Sequence, residues 1–464
     1  PVASAAPTPP WDPYFAAPTI AADMAVFGAD TRPYGLAAGD YDEDGDVDLV
    51  IGRTSGNVAL ARGSGDGTFG APVAYTWKQT TFNAWAMAAG DVNGDGNLDV
   101  IWGANTASSG CSISGVGCVV TAQVADGDVR AWLGNGDGTF QLAAYFVSGV
   151  THNRGVLLAD VGTDAGSVAA ADADGDGDLD VVAGAIDGAN ATVKLLRNGG
   201  AGAFTVETVA SSVAGAGGTG APIYFPPAAA TAHTSPFGLA FGDADADGDA
   251  DLFIGDRALY VYRYDNGGGG TFTLRPGNIP QLGAARENVY LRHDPAFRAA
   301  VGFTPSLAAG DVNGDGKADL FVGLQSGSQV PSSNTAHDGE IILNVSDGTG
   351  HVLFGVLADV GTNARGLQLA DVNGDAALDV VAGEYQGKIR LLRQLPPLDG
   401  DGDGISDYVD NAPGHANAPR IDMNTDGAYN AADQLDNDFD TVLGDPEDQS
   451  SWQRLGDAAD PDDD

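Results

Sequence analysis

Six times along this chain, acidic side chains fall at the spacing of a loop that wraps a hard cation. Each copy has Asp at position 1, Asp or Asn at 3, Asp at 5 and Asp at 9. Taken at positions 1, 3, 5, 7 and 9, the first loop offers Asp40, Asp42, Asp44, Asp46 and Asp48. The second offers Asp91, Asn93, Asp95, Asn97 and Asp99, and the third Asp172, Asp174, Asp176, Asp178 and Asp180. The fourth is Asp243, Asp245, Asp247, Asp249 and Asp251, and the fifth Asp311, Asn313, Asp315, Lys317 and Asp319. The sixth is Asp371, Asn373, Asp375, Ala377 and Asp379.

The pattern is calcium chemistry. Ca²⁺ takes six to eight oxygen ligands at roughly 2.3–2.6 Å. Side chains at alternate positions of a tight turn converge on one point, and the last Asp closes the shell. Position 7 is expected to serve through its backbone carbonyl, because the side chains of Lys317 and Ala377 cannot ligate the ion. Position 6 is Gly in five copies, where the turn needs φ > 0. Ala376 replaces it in the sixth, so that loop is expected to be the weakest. About six ions are expected, at least five of them bound. Solvated Asp/Gly turns are the alternative, and they explain one copy better than six in register.

The residues around each loop repeat too. A short apolar run precedes it (GLAAGD, AMAAGD, SVAAAD, GLAFGD, SLAAGD, GLQLAD), and a second run ending in Gly follows (LVIG, VIWG, VVAG, FIG, FVG, VVAG). A third run comes next, and several copies then turn through a GDGTF-like sequence. Units of four short strands at a period of 51 to 81 residues read as blades of a β-propeller. One blade cannot bury both its faces, so the blades must close into a ring. The loop joins the first strand to the second, and the Gly after the second lets neighbouring sheets approach. Six blades are favoured, with seven the alternative. The sixth unit runs into Leu395-Pro396-Pro397 before a fourth strand, and Met24-Ala25-Val26-Phe27 is the candidate to supply it.

These units resemble FG-GAP/VCBS repeats, the blades of integrin-α-like propellers, over roughly residues 20–395. The resemblance implies an all-β propeller with Ca²⁺ in the loops, and ligands on the face opposite them. Residues 1–19 read as an irregular Pro/Ala-rich segment, 20–395 as the propeller and 396–464 as a second, acidic unit.

That acidic unit holds 19 carboxylates from 399 onward against Arg420 and Arg454. Two stretches, around Asp399, Asp401, Asp403, Asp407 and Asp410 and around Asp433, Asp436, Asp438 and Asp440, resemble thrombospondin type 3 repeats. The resemblance implies an irregular tail organised by further Ca²⁺; those relatives carry cysteines there and this tail has none. Asp422, Asn424, Asp426, Asn430 and Asp433 also fall at EF-hand-like spacing, with Asp in place of the closing Glu. A disordered acidic tail is the other reading.

Three inserts separate the blades. Residues 104–124 contain Cys111 and Cys118, the only cysteines. Their spacing in a Ser/Gly-rich loop suggests a local disulfide in an oxidising compartment, with two free thiols the alternative. Residues 210–235 are Gly/Ala/Pro-rich. Residues 276–304 interleave Arg286, Arg292, His293 and Arg298 with Tyr290, Phe297 and Phe303. In a chain with 21 basic residues this is a local basic and aromatic island, and Arg286, Tyr290, Arg292, His293 and Arg298 are the candidate ligand-binding set.

The net charge is −43, from 64 acidic and 21 basic residues. That argues against nucleic acid, whose phosphates reward clustered Lys/Arg. No apolar run reaches the length of a membrane span. The start, Pro-Val-Ala-Ser, fits a processed terminus, and abundant calcium points outside the cell. No catalytic set stands out: there is no GxSxG, no HExxH and no phosphate-cradling loop. The favoured reading is therefore a secreted or cell-surface binding or adhesion module for a protein or glycan. The alternatives are a structural subunit of an extracellular assembly or filament, whose acidic tail meets a neighbour or another copy of itself through Ca²⁺, and a polysaccharide lyase drawing on Tyr290, Arg292 and His293.

Overall fold

A computed structural model describes residues 19–23, 33–53, 58–75, 83–105, 127–141, 144–147, 150–153, 155–187, 190–200, 202–211, 236–256, 260–274, 289–290, 306–312, 316–323, 339–343, 354–358, 364–384 and 387–394. Every element among them is a strand. The first, β1 (Thr19–Asp23), is set apart from the unit that follows it. The first sheet is β2 (Pro33–Gly39), β3 (Asp48–Arg53), β4 (Val58–Ala61) and β5 (Val73–Tyr75). The second is β6 (Asn83–Gly90), β7 (Asp99–Asn105), β8 (Asp128–Trp132) and β11 (Val156–Asp160). A separate ribbon, β9 (Ala144–Val147) with β10 (Val150–Asn153), lies between β8 and β11 in sequence.

The third sheet is β12 (Thr163–Ala171), β13 (Asp180–Asp187), β14 (Asn190–Asn198) and β15 (Phe204–Ser211). The fourth is β16 (Pro236–Gly242), β17 (Asp251–Asp256), β18 (Tyr260–Asn266) and β19 (Phe272–Leu274), with β20 (Val289–Tyr290) added. The fifth is β21 (Ser306–Gly310), β22 (Asp319–Gly323), β23 (Gly339–Leu343) and β24 (Phe354–Ala358). The last is β25 (Ala364–Ala370), β26 (Asp379–Glu384) and β27 (Lys388–Leu392), completed by β1.

The chain is thus an all-β propeller. The first strands of successive sheets pack in the cycle β2, β6, β12, β16, β21, β25 and back to β2, which closes the ring. Five sheets are four-stranded blades, rather than the six or seven expected, and the fourth sheet has five strands. Its extra strand comes from the 276–304 insert, which returns to the blade: Tyr290 pairs with Tyr260 and Val289 with Val261 on the edge of β18. The closing strand also differs from expectation. β1 supplies it, with Thr19 opposite Leu391 and Asp23 opposite Lys388, whereas Met24–Phe27 lie outside the described residues. Apolar character misled here, because β1 buries chiefly Ala22 and leaves Ile20 half exposed.

The core is divided among the seams. A second strand such as Leu49-Val50-Ile51 is buried on both faces, so it reads as a continuous apolar run. Val50 faces the second blade, beside Met87, Val100 and Trp102. Leu49 and Ile51 face the last blade, beside Val381, Ile389 and Leu391. In the first seam Trp102 stacks on Trp132 with ring centroids 5.0 Å apart. Close approach needs glycine at a few points. A Cβ on Gly103 would lie 2.4 Å from the Ala165 carbonyl oxygen of the next blade.

Candidate metal centre

Each acidic loop joins the first strand of a blade to the second, and its hydrogen bonds follow one plan. The Asp at position 1 accepts backbone N–H groups from further round the turn. Gly45 donates to Asp40 at 2.9 Å, Gly96 to Asp91 at 2.7 Å and Gly177 to Asp172 at 2.9 Å. Gly248, Gly316 and Ala376 do the same for Asp243, Asp311 and Asp371. The Asp at position 5 accepts the N–H of position 7, as Asp44 does from Asp46 at 3.0 Å and Asp375 from Ala377 at 3.0 Å. The side chain at position 7 turns aside to the turn after the third strand. A Cβ on Gly65 would lie 2.3 Å from Asp46 Oδ1, and one on Gly136 lies 2.5 Å from Asn97 Oδ1.

Two positions in the loop need left-handed backbone. Gly45, Gly96, Gly177, Gly248 and Gly316 at position 6 have φ of 93°, 91°, 92°, 93° and 83°. Ala376, at 69°, bears the strain foreseen for it. Position 4 was missed: Glu43 and Ala246 also stand at φ of 59° and 61°, where other loops have Gly94, Gly175 and Gly374. The first, fourth and sixth loops therefore each carry one strained residue, and the sixth is not singled out. The signal was the glycine recurring at position 4.

The Asp at position 9 is the most buried member. Asp48, Asp99, Asp180, Asp251, Asp319 and Asp379 are all 0% exposed. One oxygen accepts the N–H of position 2, from Tyr41, Val92, Ala173, Ala244, Val312 and Val372. In five blades the other accepts an N–H at or just past the end of the third strand, from Gly63, Gly134, Asn198, Asn266 and Gln394 at 2.7–2.8 Å. Burial pushes Asp48, Asp99, Asp180, Asp251 and Asp379 up to about 6, against the pull of these N–H groups.

Positions 1, 3 and 9 converge. Carboxylate oxygens of Asp40, Asp42 and Asp48 lie within 4.8 Å of one another, as do those of Asp172, Asp174 and Asp180 and of Asp243, Asp245 and Asp251. These clusters can hold a metal ion. In the first and third loops the fit is tighter still, because Asp42 Oδ1 and Asp174 Oδ1 are buried without a protein partner. The position 5 carboxylates, expected to ligate, accept the N–H of position 7 with one oxygen and are not among these groups. In the fifth loop Asn313 and Asp315 fall outside the described residues. So do Cys111, Cys118, Arg286, Arg292, His293, Arg298 and the whole acidic unit from Asp399 to Asp440 and beyond.

Arginines complete the picture, and the sequence reading passed over them. Arg62 pairs with Asp42 Oδ2, and Arg197 Nη1 lies 2.9 Å from Asp174 Oδ2. Each holds one oxygen of position 3 and leaves the other to face the cluster. Each also reaches the next blade, Arg62 at the Asp137 carbonyl (2.8 Å) and Arg197 at the Gly270 carbonyl (2.9 Å). Arg393 reaches the Asp66 carbonyl of the first blade at 2.7 Å. The cue was an Arg at the end of the third strand in three repeats. Position 2 also binds the neighbouring blade: Asn198 donates to the Val92 carbonyl at 3.0 Å and Asn266 to Ala173 at 2.8 Å. Gly138 donates to Tyr41 at 2.8 Å and Gly67 to Val372 at 2.9 Å. The loops are therefore built into the blade seams.

Residues 40–102 match the FG-GAP-like repeat family, and residues 303–341 match the FG-GAP repeat family. The chain carries FG-GAP repeats. The first match runs from the first loop into β7, and the second spans the fifth loop. No curated protein matches the chain. Among solved structures it is similar to AofleA from Arthrobotrys oligospora, with 12% identity and a TM-score of 0.43 over 82% of this chain and 86% of that one. It is also similar to the BP39L lectin from Burkholderia pseudomallei, with 14% identity and a TM-score of 0.42 over 78% and 96%. BBS1N, solved in complex with ARL6DN, gives 11% identity and a TM-score of 0.39 over 82% and 96%.

Proposed function

We propose that this protein is a calcium-stabilised propeller that acts outside the cell and binds a protein or a glycan on the ring face opposite its acidic loops. The observation that carries this reading is a division of labour between the two ends of the ring. The loops and the turns after the third strands share one end and are knitted into the seams by hydrogen bonds. The longest connections between described strands leave from the other end. They are 106–126 between β7 and β8, 212–235 between β15 and β16, 275–288 after β19, 291–305 between β20 and β21, and 324–338 between β22 and β23. A rigid ring that presents long loops at one end is a scaffold for recognition.

Calcium suits the other end. The clusters are all oxygen, and a divalent ion offsets carboxylates that repel one another. Loops of this kind fill at the free calcium found outside cells. The described Asp side chains are spent on turns, seams and cation clusters, so the activity proposed is binding and not catalysis. The insert that holds Arg286, Arg292 and Arg298 follows β19 in sequence, and its composition suits an anionic glycan or an acidic protein segment.

Two measurements test the reading. Melting in calcium chloride is expected to lie well above melting in excess chelator, since an ion bound by the native state alone stabilises it. An unchanged melt would remove calcium from the account. A panel of anionic glycans, read with wild type and with the triple variant Arg286→Ala, Arg292→Ala, Arg298→Ala, tests the ligand face. The variant is expected to melt normally and lose binding. If it binds as wild type does, the site belongs to the 106–126 or 212–235 connection. Release of unsaturated products from a uronate polymer would make the protein a lyase instead.

A further inference from the structure

The fourth loop differs from the first and third in where its arginine stands. In those two blades the arginine directly precedes the residue whose N–H caps position 9: Arg62 before Gly63, and Arg197 before Asn198. It takes one oxygen of the position 3 Asp and leaves the second buried and unpartnered toward the cluster. In the fourth blade the equivalent place, before Asn266, is Asp265. The arginine stands two residues earlier, at Arg263, on the same face of β18. Its guanidinium lies deeper. Arg263 Nη2 is 3.2 Å from Asp245 Oδ2 and 3.3 Å from Asp251 Oδ2, and Nε is 2.7 Å from Asp265 Oδ1. Its side chain is 8% exposed.

The guanidinium therefore bridges positions 3 and 9, two of the three carboxylates that converge in this loop. In the first and third loops the arginine pairs with position 3 and not with position 9, and the second oxygen of position 3 stays buried and unpartnered. We infer that Arg263 is the built-in cation of the fourth loop and that this loop takes no calcium, while the first and third do. A guanidinium has no acceptor and keeps its charge, and here a single nitrogen, Nη2, stands between two carboxylates. A buried charge held by three anionic partners is not given up without leaving them uncompensated. A divalent ion entering beside it would meet like-charge repulsion that bulk water does not screen. The order of the fourth loop is thereby independent of the calcium supply.

The inference rests on the calcium reading of the first and third loops, and one experiment separates the two. Bound calcium is counted on the full chain at the concentration that just saturates wild type. The variants are Asp42→Ala, Asp174→Ala, Asp245→Ala and Arg263→Met. The first two are expected to hold one ion fewer than wild type and Asp245→Ala the same number. Arg263→Met is expected to hold one more, and to melt lower than wild type in chelator but close to it in calcium. Loss of one ion by Asp245→Ala, or no gain by a folded Arg263→Met, overturns the inference and leaves the calcium reading standing. If Asp42→Ala and Asp174→Ala also lose nothing, the calcium reading itself falls and the inference with it. Should Arg263→Met fail to fold, the count for Asp245→Ala decides alone.

Discussion

At the scale of the residue, the Asp at position 9 does two jobs that pull against each other. It is buried and holds the loop to the third strand, and in the proposed calcium site it must also be ionised. Burial pushes Asp48, Asp99, Asp180, Asp251 and Asp379 up to about 6. An unfolded Asp titrates near 3.9, so a shift of that size is worth at most about 3 kcal/mol per group. Between about pH 4 and 6 the folded, metal-free protein binds more protons than the unfolded chain. Its stability therefore falls as pH rises through that window and levels off above it. The repulsion of a chain of net charge −43 acts in the same direction. A bound cation reverses the sign, because it takes the deprotonated carboxylate. Melting temperature is expected to fall from about pH 4 to 6 in chelator and to rise over the same interval in excess calcium. Parallel curves would show that these carboxylates do not meet the ion.

At the scale of the element, the unit of construction is the seam and not the blade. Each loop is tied back to its own third strand by position 9 and forward to the neighbouring blade by the carbonyl at position 2. Asn198 shows this best, donating to Val92 across the seam at 3.0 Å and to Leu179 within its blade at 3.2 Å. It is 3% exposed. Asn198→Ala removes both donors and leaves two carbonyls short of a partner. The expected cost is roughly 1–3 kcal/mol, read from the denaturant midpoint. A loss within error would mean that packing alone holds the seam.

This is also where the sequence stops being legible. The loops can be read because their ligands lie within nine residues of one another, and the second strands because both their faces are apolar. Asn198 and Val92 are 106 residues apart, and nothing local in either marks the other. The turn that looks like a plain GDGTF connector is likewise a contact surface for the preceding blade. The same limit hid Arg62, Arg197 and Arg263, whose partners are fixed only once the blade has folded. The closing strand was displaced for a different reason. Two of its five residues are polar, and it is held by backbone pairing more than by buried area.

At the scale of the whole molecule, the ring is a chain of seams closed by one strand from the far end of the sequence. β1 covers the edge of β27, whose Ile389 and Leu391 are buried. Removing residues 1–23 is expected to lower the melting temperature by several degrees and to produce concentration-dependent association through the uncovered edge. A truncated protein that melts and sediments as the full chain does would show that the ring closes without that strand.

The register of that closure sets a timetable for biosynthesis. Thr19 donates to the carbonyl of Leu391, a residue 372 positions later. β1 therefore waits for a partner made 372 residues after it. At 5–20 residues per second that wait is on the order of 20–75 s, during which earlier blades can assemble against one another but the ring stays open. Throughout that interval the strand is free to pair with the final blade of a neighbouring nascent chain. Crowded polysomes are thus the setting in which this fold is most exposed to strand exchange.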